Sequence, residues 1–211
     1  MKRLLIILLI SAVTLQAQAY TKADLFNSEV QITWLGLDFT HMRFIGTAAQ
    51  WEKYGEITNG EIRDKYLPAW NDLLVNEKDK YLVPDAISRV EVQYAPEVVA
   101  KANATIKAGF FESNAASYQL LSESEVEKIV SKYDFHNHKG IGMLFIVEGM
   151  SKEKKETSAW VTFVDMGTKQ VLLTKRVQGK AGGIGFRNFW GKSFDNILEK
   201  VKKDWSQWAV G

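Results

Sequence analysis

From Val30 the chain reads VQITWLGLDF, a run of β-branched and aromatic residues that predicts a strand over 30–39. Strict alternation would put Ile32, Trp34, Gly36 and Asp38 on one face and Thr33, Leu35, Leu37 and Phe39 on the other. Both faces are largely apolar, the mark of a strand covered on both sides. Thr58-Asn-Gly-Glu61 fits a reciprocal helix cap. Ile62, Tyr66, Trp70, Leu73 and Leu74 follow at helical spacing, and Pro68 predicts a kink or two short helices. Arg89 to Tyr94 reads as a strand and Glu97 to Lys107 as a short helix.

The second half is more regular. Ser122-Glu-Ser-Glu125 caps a helix whose apolar face is Val126, Ile129, Val130 and Tyr133. Gly140 to Gly149 is a strongly apolar run, expected as a central strand. Thr157 to Asp165 and Gln170 to Val177 follow as strands around Met166-Gly-Thr-Lys169, predicting an antiparallel meander. Phe189, Trp190, Phe194, Ile197, Leu198, Val201, Trp205 and Trp208 form the broad stripe of a long last helix. Strand and helix periods side by side predict an α/β or α+β fold: a mixed or antiparallel sheet with helices packed on it and a C-terminal amphipathic helix.

The start of the chain changes the count. Lys2 and Arg3 precede the apolar run Leu4 to Ile10, and Ala17-Gln-Ala19 supplies the small residues that a leader peptidase reads. Residues 1–19 are therefore expected as a signal peptide and 20–211 as one α/β domain. Without Lys2 and Arg3 the chain carries 25 basic and 25 acidic residues, a balance that argues against a nucleic-acid partner. The 46% hydrophobic content, with 7 Trp, is enough for a core, and 0 Cys leaves no disulfide scaffold. Export without disulfides points to the periplasm or cell surface of a Gram-negative bacterium.

Candidate chemistry is sparse. Gly191-Lys-Ser193 looks like the end of a phosphate-binding loop, but the position five residues before Gly191 holds Phe186, and Gly185 is one residue too early. The glycine-rich stretch 179–193 can still form a ligand loop, with Lys180 and Arg187 at its flanks. Asp38 and His41, three residues apart near a strand end, are candidates for an acid–base pair. His136 and His138 could contribute to a metal site only with a third ligand, and His41 is the one other histidine. Asp165 is expected to cap its hairpin. Asn103-Ala-Thr105 matches a glycosylation acceptor, which the bacterial reading makes idle. Trp205 and Trp208, close to the C-terminus, are candidates for contact with a partner or a membrane surface. No pattern implies a cofactor or a metal.

The segment VTFVDMGTKQVLL, with Asp165, Thr168 and Lys169 at its turn, and the early strand ITWLGLDF carry a resemblance. Together with the order of elements, they resemble the small α/β domains of the bacterial envelope in the curli secretion-channel family and at the N-terminus of the Tol translocation protein. The likeness spans about half of the chain after residue 19, has no counterpart for 84–111, and lacks the acylated Cys of many such proteins. It implies a binding or assembly role. The leading expectation is an exported, non-catalytic protein that binds another protein or an envelope component. The alternative is a small-ligand binder or enzyme using the 179–193 loop with Arg187, Lys180, Asp38 and His41.

Overall fold

A computed structural model of the chain describes residues 19–47, 56–107 and 109–210. The expected leader lies outside these residues except for Ala19. The elements run α1 (Lys22–Phe26), β1 (Ile32–Asp38), β2 (Arg43–Ile45), α2 (Asn59–Glu61), a π-helical turn (Ile62–Tyr66), α3 (Leu67–Asn76), α4 (Val83–Ala86), β3 (Gln93–Tyr94), α5 (Glu97–Asn103), β4 (Phe111–Glu112), a 3-10 turn (Ala115–Tyr118), α6 (Glu123–Ser131), β5 (Ile141–Ser151), β6 (Glu156–Asp165), β7 (Gln170–Lys180) and α7 (Phe186–Val210).

One sheet organises the chain. β5, β6 and β7 form an antiparallel meander. On the other edge of β5, β1 pairs with its first half and β2 with its last three residues, both parallel. β3 then adds to β1 and β4 to β2, again parallel. All four pairings made only by first-half strands or with them are parallel, which excludes a wholly antiparallel sheet. The physical reason lies in the connections: β1 and β2 reach their partners through long helical crossovers rather than tight turns.

Helices cover both faces. The larger core contains Ile32, Trp34, Leu37 and Phe39, the 143, 145 and 147 side chains of β5, Trp70 and Leu73 of α3, and the inner face of α7. The smaller contains Leu35, Leu144, Ile146, Val98 and Val99 of α5, and Val126, Ile129 and Val130 of α6. The alternation expected for β1 therefore fails midway. Its register on β5 slips between Trp34 and Gly36, and Gly36 takes φ 117°, a conformation glycine tolerates and other residues resist. This bulge moves Leu37 and Phe39 to the side of Trp34 and turns Asp38 to the side of Leu35.

α7 carries the largest buried face, with Trp190, Phe194, Ile197, Leu198, Val201 and Trp205 all inside. Each such side chain contributes about 1.5–3 kcal/mol of burial. The Lys202–Asp85 pair is exposed and screened by solvent, so it adds little. Apolar packing, not charge, docks this helix. Pro68 is met by the π-helical turn before it: the wider turn, with Leu67 N–H bonded to Ile62 O, absorbs the missing proline donor without breaking the helix.

Candidate functional site

Between Trp34 and Phe44 the outer edge of β1 has no strand beside it. β3 ends at Tyr94, with Ala95 N–H bonded to Trp34 O, and β4 begins only where Phe44 N–H reaches Phe110 O. Two asparagines close this gap. Asn71 of α3 accepts from Leu37 N–H at 2.7 Å and donates to Leu37 O at 3.1 Å. Asn103 of α5 accepts from Phe39 N–H at 2.8 Å and donates to Leu37 O, also at 2.8 Å. Their side-chain amides supply what a neighbouring strand would supply, so buried peptide groups stay paired while the edge is closed to another strand. Asn103, the residue of the glycosylation-like triplet, is thus a structural clamp.

Outside this clamp α3 and α5 diverge into a groove of about 730 Å³. Arg63, Asp64, Leu67, Pro68, Asn71 and Asp72 form one wall. Pro96, Glu97, Ala100, Asn103 and Ala104 form the other. Each set repeats at helical spacing, so each wall is one helix face. Ala100 and Ala104 are short and exposed, which keeps the groove open. Its centre is apolar and its rim charged. Arg63 is committed at the rim: it grips Asp64 with two bonds of 2.6 and 2.8 Å and donates to Lys107 O at 2.9 Å. That grip lowers the Asp64 carboxyl below its ordinary pKa. Glu97 meets His138 Nε2 at 2.8 Å. With the Arg63–Asp64 pair neutral, Asp72 and Glu97 give the rim an acidic bias.

The residues predicted from sequence lie elsewhere and are not assembled. Asp38 is 0% exposed and accepts from the Tyr133 hydroxyl and from Thr40 N–H. Burial first, and Asp38 second, push the Tyr133 phenol well above its usual pKa. His41 is exposed and bonds Thr40 Oγ1 at 2.9 Å, not Asp38. Arg187 sits on the opposite side of the sheet, where it bonds Glu77 at 3.0 Å and its carbonyl accepts from Trp70 Nε1. The β1 bulge is what separates Asp38 from the α7 layer. Lys180 pairs with Glu156 at 3.0 Å. The four residues named as a ligand set therefore make separate contacts, and Asp38 is sealed from solvent.

Two glycines of the glycine-rich stretch, Gly179 and Gly191, serve close packing. Gly191 and Ser193 lie inside α7 on its buried face, and Lys192 pairs with Asp195. A Cβ at Gly191 would come within 2.7 Å of Leu73 Cδ1 and 2.9 Å of the Tyr81 hydroxyl. Ser193 shares a 2.7 Å hydrogen bond with Thr157 of β6. No backbone nest remains for a phosphate at Gly-Lys-Ser. A shallow pocket of about 430 Å³ does lie by Lys80, Gly182, Gly183 and Lys192, more open to solvent than the α3–α5 groove. Trp205 is 6% exposed and packs against Phe26, Phe163 and Trp208, so it belongs to the core. Trp208 is half-buried beside it. His136 turns to Asp134 and His138 to Glu97, and among the described residues no group of three acidic or histidine side chains could hold a metal.

Sequence reading passed over two features. Glu148, 1% exposed, accepts from Arg176 Nε at 2.7 Å, Ser158 Oγ at 2.7 Å, Leu121 N–H at 3.1 Å and Trp160 Nε1 at 3.2 Å. Arg176 also lies over the Trp160 ring, 4.5 Å from its centre. Every lone pair of this carboxylate is used, so the cluster fastens the 118–122 segment to the sheet rather than awaiting a ligand. The groove itself had one readable signal, the small-residue spacing Pro96, Ala100, Ala104. Its other wall depends on a π-helical turn that apolar spacing does not reveal. No protein-family model, curated protein or solved structure matches the chain.

Proposed function

We propose that this is an exported, non-catalytic protein of the Gram-negative envelope that binds a partner protein in the groove between α3 and α5. The observation that carries the reading is the groove itself: an apolar trough with an acidic rim, built on rigid helices at a sheet edge that the asparagines close to strand addition. An apolar pocket with a few placed polar groups is the usual form of a binding site. A bound segment would seat apolar side chains against Leu67, Pro68, Ala100 and Ala104 and set a basic residue near Asp72 or Glu97. The periplasm or cell surface follows from the leader-like start of the chain, and the resemblance to envelope assembly domains favours a role in binding. No helix among the described residues is long and apolar enough to cross a membrane. The competing reading, a small-ligand protein built on the 179–193 loop, is weakened by the separate commitments of Asp38, Lys180 and Arg187.

Ala100→Trp tests this directly. The substitution fills the groove from an exposed helix position, so the fold should keep its Tm within about 3 °C. Protein captured from envelope extract by the wild type should fall at least tenfold with the variant. Equal capture by both, at equal Tm, would sink the groove as the binding site.

A further inference from the structure

Tyr20 follows the expected leader cleavage point, and its backbone nitrogen is not idle. It lies 3.0 Å from Asp165 Oδ2 across 145 residues of sequence. Asp165 is 3% exposed and closes the β6–β7 hairpin, its Oδ1 accepting from Gly167 N–H at 2.8 Å and Thr168 N–H at 3.2 Å. One oxygen thus holds the turn while the other faces the start of the domain. Ala19, Tyr20, Asp24, Lys139, Gly140, Asp165, Gly167 and Thr168 line a cavity of about 670 Å³ around the contact. There is room beside the nitrogen for the extra hydrogens of an amine.

We propose that Asp165 is a docking site for the α-ammonium group released when the chain is processed between Ala19 and Tyr20. This rests on the export reading above. The chemistry is hydrolysis: water adds across the Ala19–Tyr20 amide, the C–N bond breaks, Ala19 leaves as a carboxylate, and Tyr20 nitrogen gains protons to become an ammonium. A neutral N–H donor is thereby replaced by a charged one on a buried carboxylate, and charge-assisted bonds are roughly twice as strong as neutral ones. The other charged groups facing the ammonium are Asp24 of α1 and Lys139 before β5. Asp24 is occupied by Thr21, whose N–H and hydroxyl bond its Oδ2 at 2.8 and 2.7 Å, so Asp165 is the carboxylate with an oxygen given to Tyr20. Lys139 opposes the ammonium weakly through solvent. Processing therefore does more than release the chain: it strengthens the tie between the start of α1 and the β6–β7 hairpin.

A carboxylate partner raises the ammonium pKa in the folded protein above its unfolded value of about 7.7–8.0. The stabilisation is complete below that unfolded value and disappears as pH rises through the raised one.

The test uses protein purified after export from a Gram-negative host. Its intact mass should place the N-terminus at Tyr20; a retained leader or another start overturns the proposal, whatever the groove binds. Transamination of the processed N-terminus then converts the amine to a neutral ketone and spares every lysine. At pH 6.5 the Tm should fall by about 4 °C or more. Asp165→Asn keeps the Oδ1 acceptor of the hairpin, and in that variant transamination should lower Tm no further. The difference should also fade above pH 9. A correctly processed protein whose Tm ignores transamination, or responds equally in Asp165→Asn, overturns the docking while leaving export intact.

Discussion

Among the described residues, most buried polar side chains have their bonds complete, while Trp34 Nε1, the Tyr81 hydroxyl and Arg89 Nε have no hydrogen-bond partner. Both carboxylate oxygens of Glu148 and of Asp38 accept from named donors, so each fixes the element it joins to the sheet. The Tyr81 hydroxyl is different: it is buried and has no hydrogen-bond partner among the described residues, pressed between α7 and α3 beside Gly191. Burial pushes its pKa up to about 12. An unpaired buried hydroxyl has been stripped of water without compensation, which costs about 1–3 kcal/mol. Tyr81→Phe should therefore leave stability unchanged or raise it by about 1 kcal/mol, read as a denaturation midpoint that holds or moves up at constant slope. A loss of more than about 1 kcal/mol would show that the hydroxyl has a structural partner. At this scale the sequence was informative about residue types and poor about partners. Asp38 stood out as an acid at a strand end, yet its partner Tyr133 comes from a helix terminus far along the chain. Glu148 was hidden inside an apolar run, where a lone carboxylate gives no hint of four converging donors.

Elements were legible where one period held for its full length. The capping boxes Thr58–Glu61 and Ser122–Glu125 form as their spacing predicts. The strands of the meander and the last helix occupy their expected places, within a few residues at their ends. Legibility failed where a local irregularity resets the period. The bulge at Gly36 exchanges the faces of β1, and the π-helical turn ahead of Pro68 carries the helix through a residue expected to kink it or split it in two. Short elements were legible only in part: β3 occupies the last two residues of the strand expected over 89–94, whereas two-residue β4 is too short to show alternation and exists because β2 offers it an edge. Close approach between elements accounts for glycines that looked like loop residues. A Cβ on Gly179 of β7 would lie 1.9 Å from Ser193 O of α7, a clash with backbone that no rotamer change relieves. Gly179→Ala should cost about 3 kcal/mol or more and lower Tm by about 6 °C or more. Gly182→Ala, three residues on with nothing within 4 Å, should stay within about 0.5 kcal/mol. Equal thermal shifts in the two variants would contradict the packing role assigned to Gly179.

At the scale of the molecule, a sheet with helices on both faces leaves few places where anything can bind. One face is covered by α3, α4 and α7 and the other by α5 and α6, while the meander ends in β7, which pairs only with β6. At the edge of β1 between its two short neighbours the helices of opposite layers splay apart. The α/β character and the final helix could be read from periodicity; of this opening only the small-residue spacing Pro96, Ala100, Ala104 could, because its width is set by how far apart two helices are held. Asn71 and Asn103 set that spacing by reaching the same carbonyl, Leu37 O, from opposite walls. The groove is thus a consequence of closing a sheet edge with side chains in place of a strand. Its occupant can be sought without knowing its identity. A photo-activated cross-linking residue at Ala104, on the groove wall, should trap a discrete adduct in living cells, and Ala100→Trp in the same chain should abolish it. The same cross-linker at Lys203, on the exposed face of α7, should give none. An adduct at Lys203 but not at Ala104, or one at Ala104 that survives Ala100→Trp, would contradict binding in the groove.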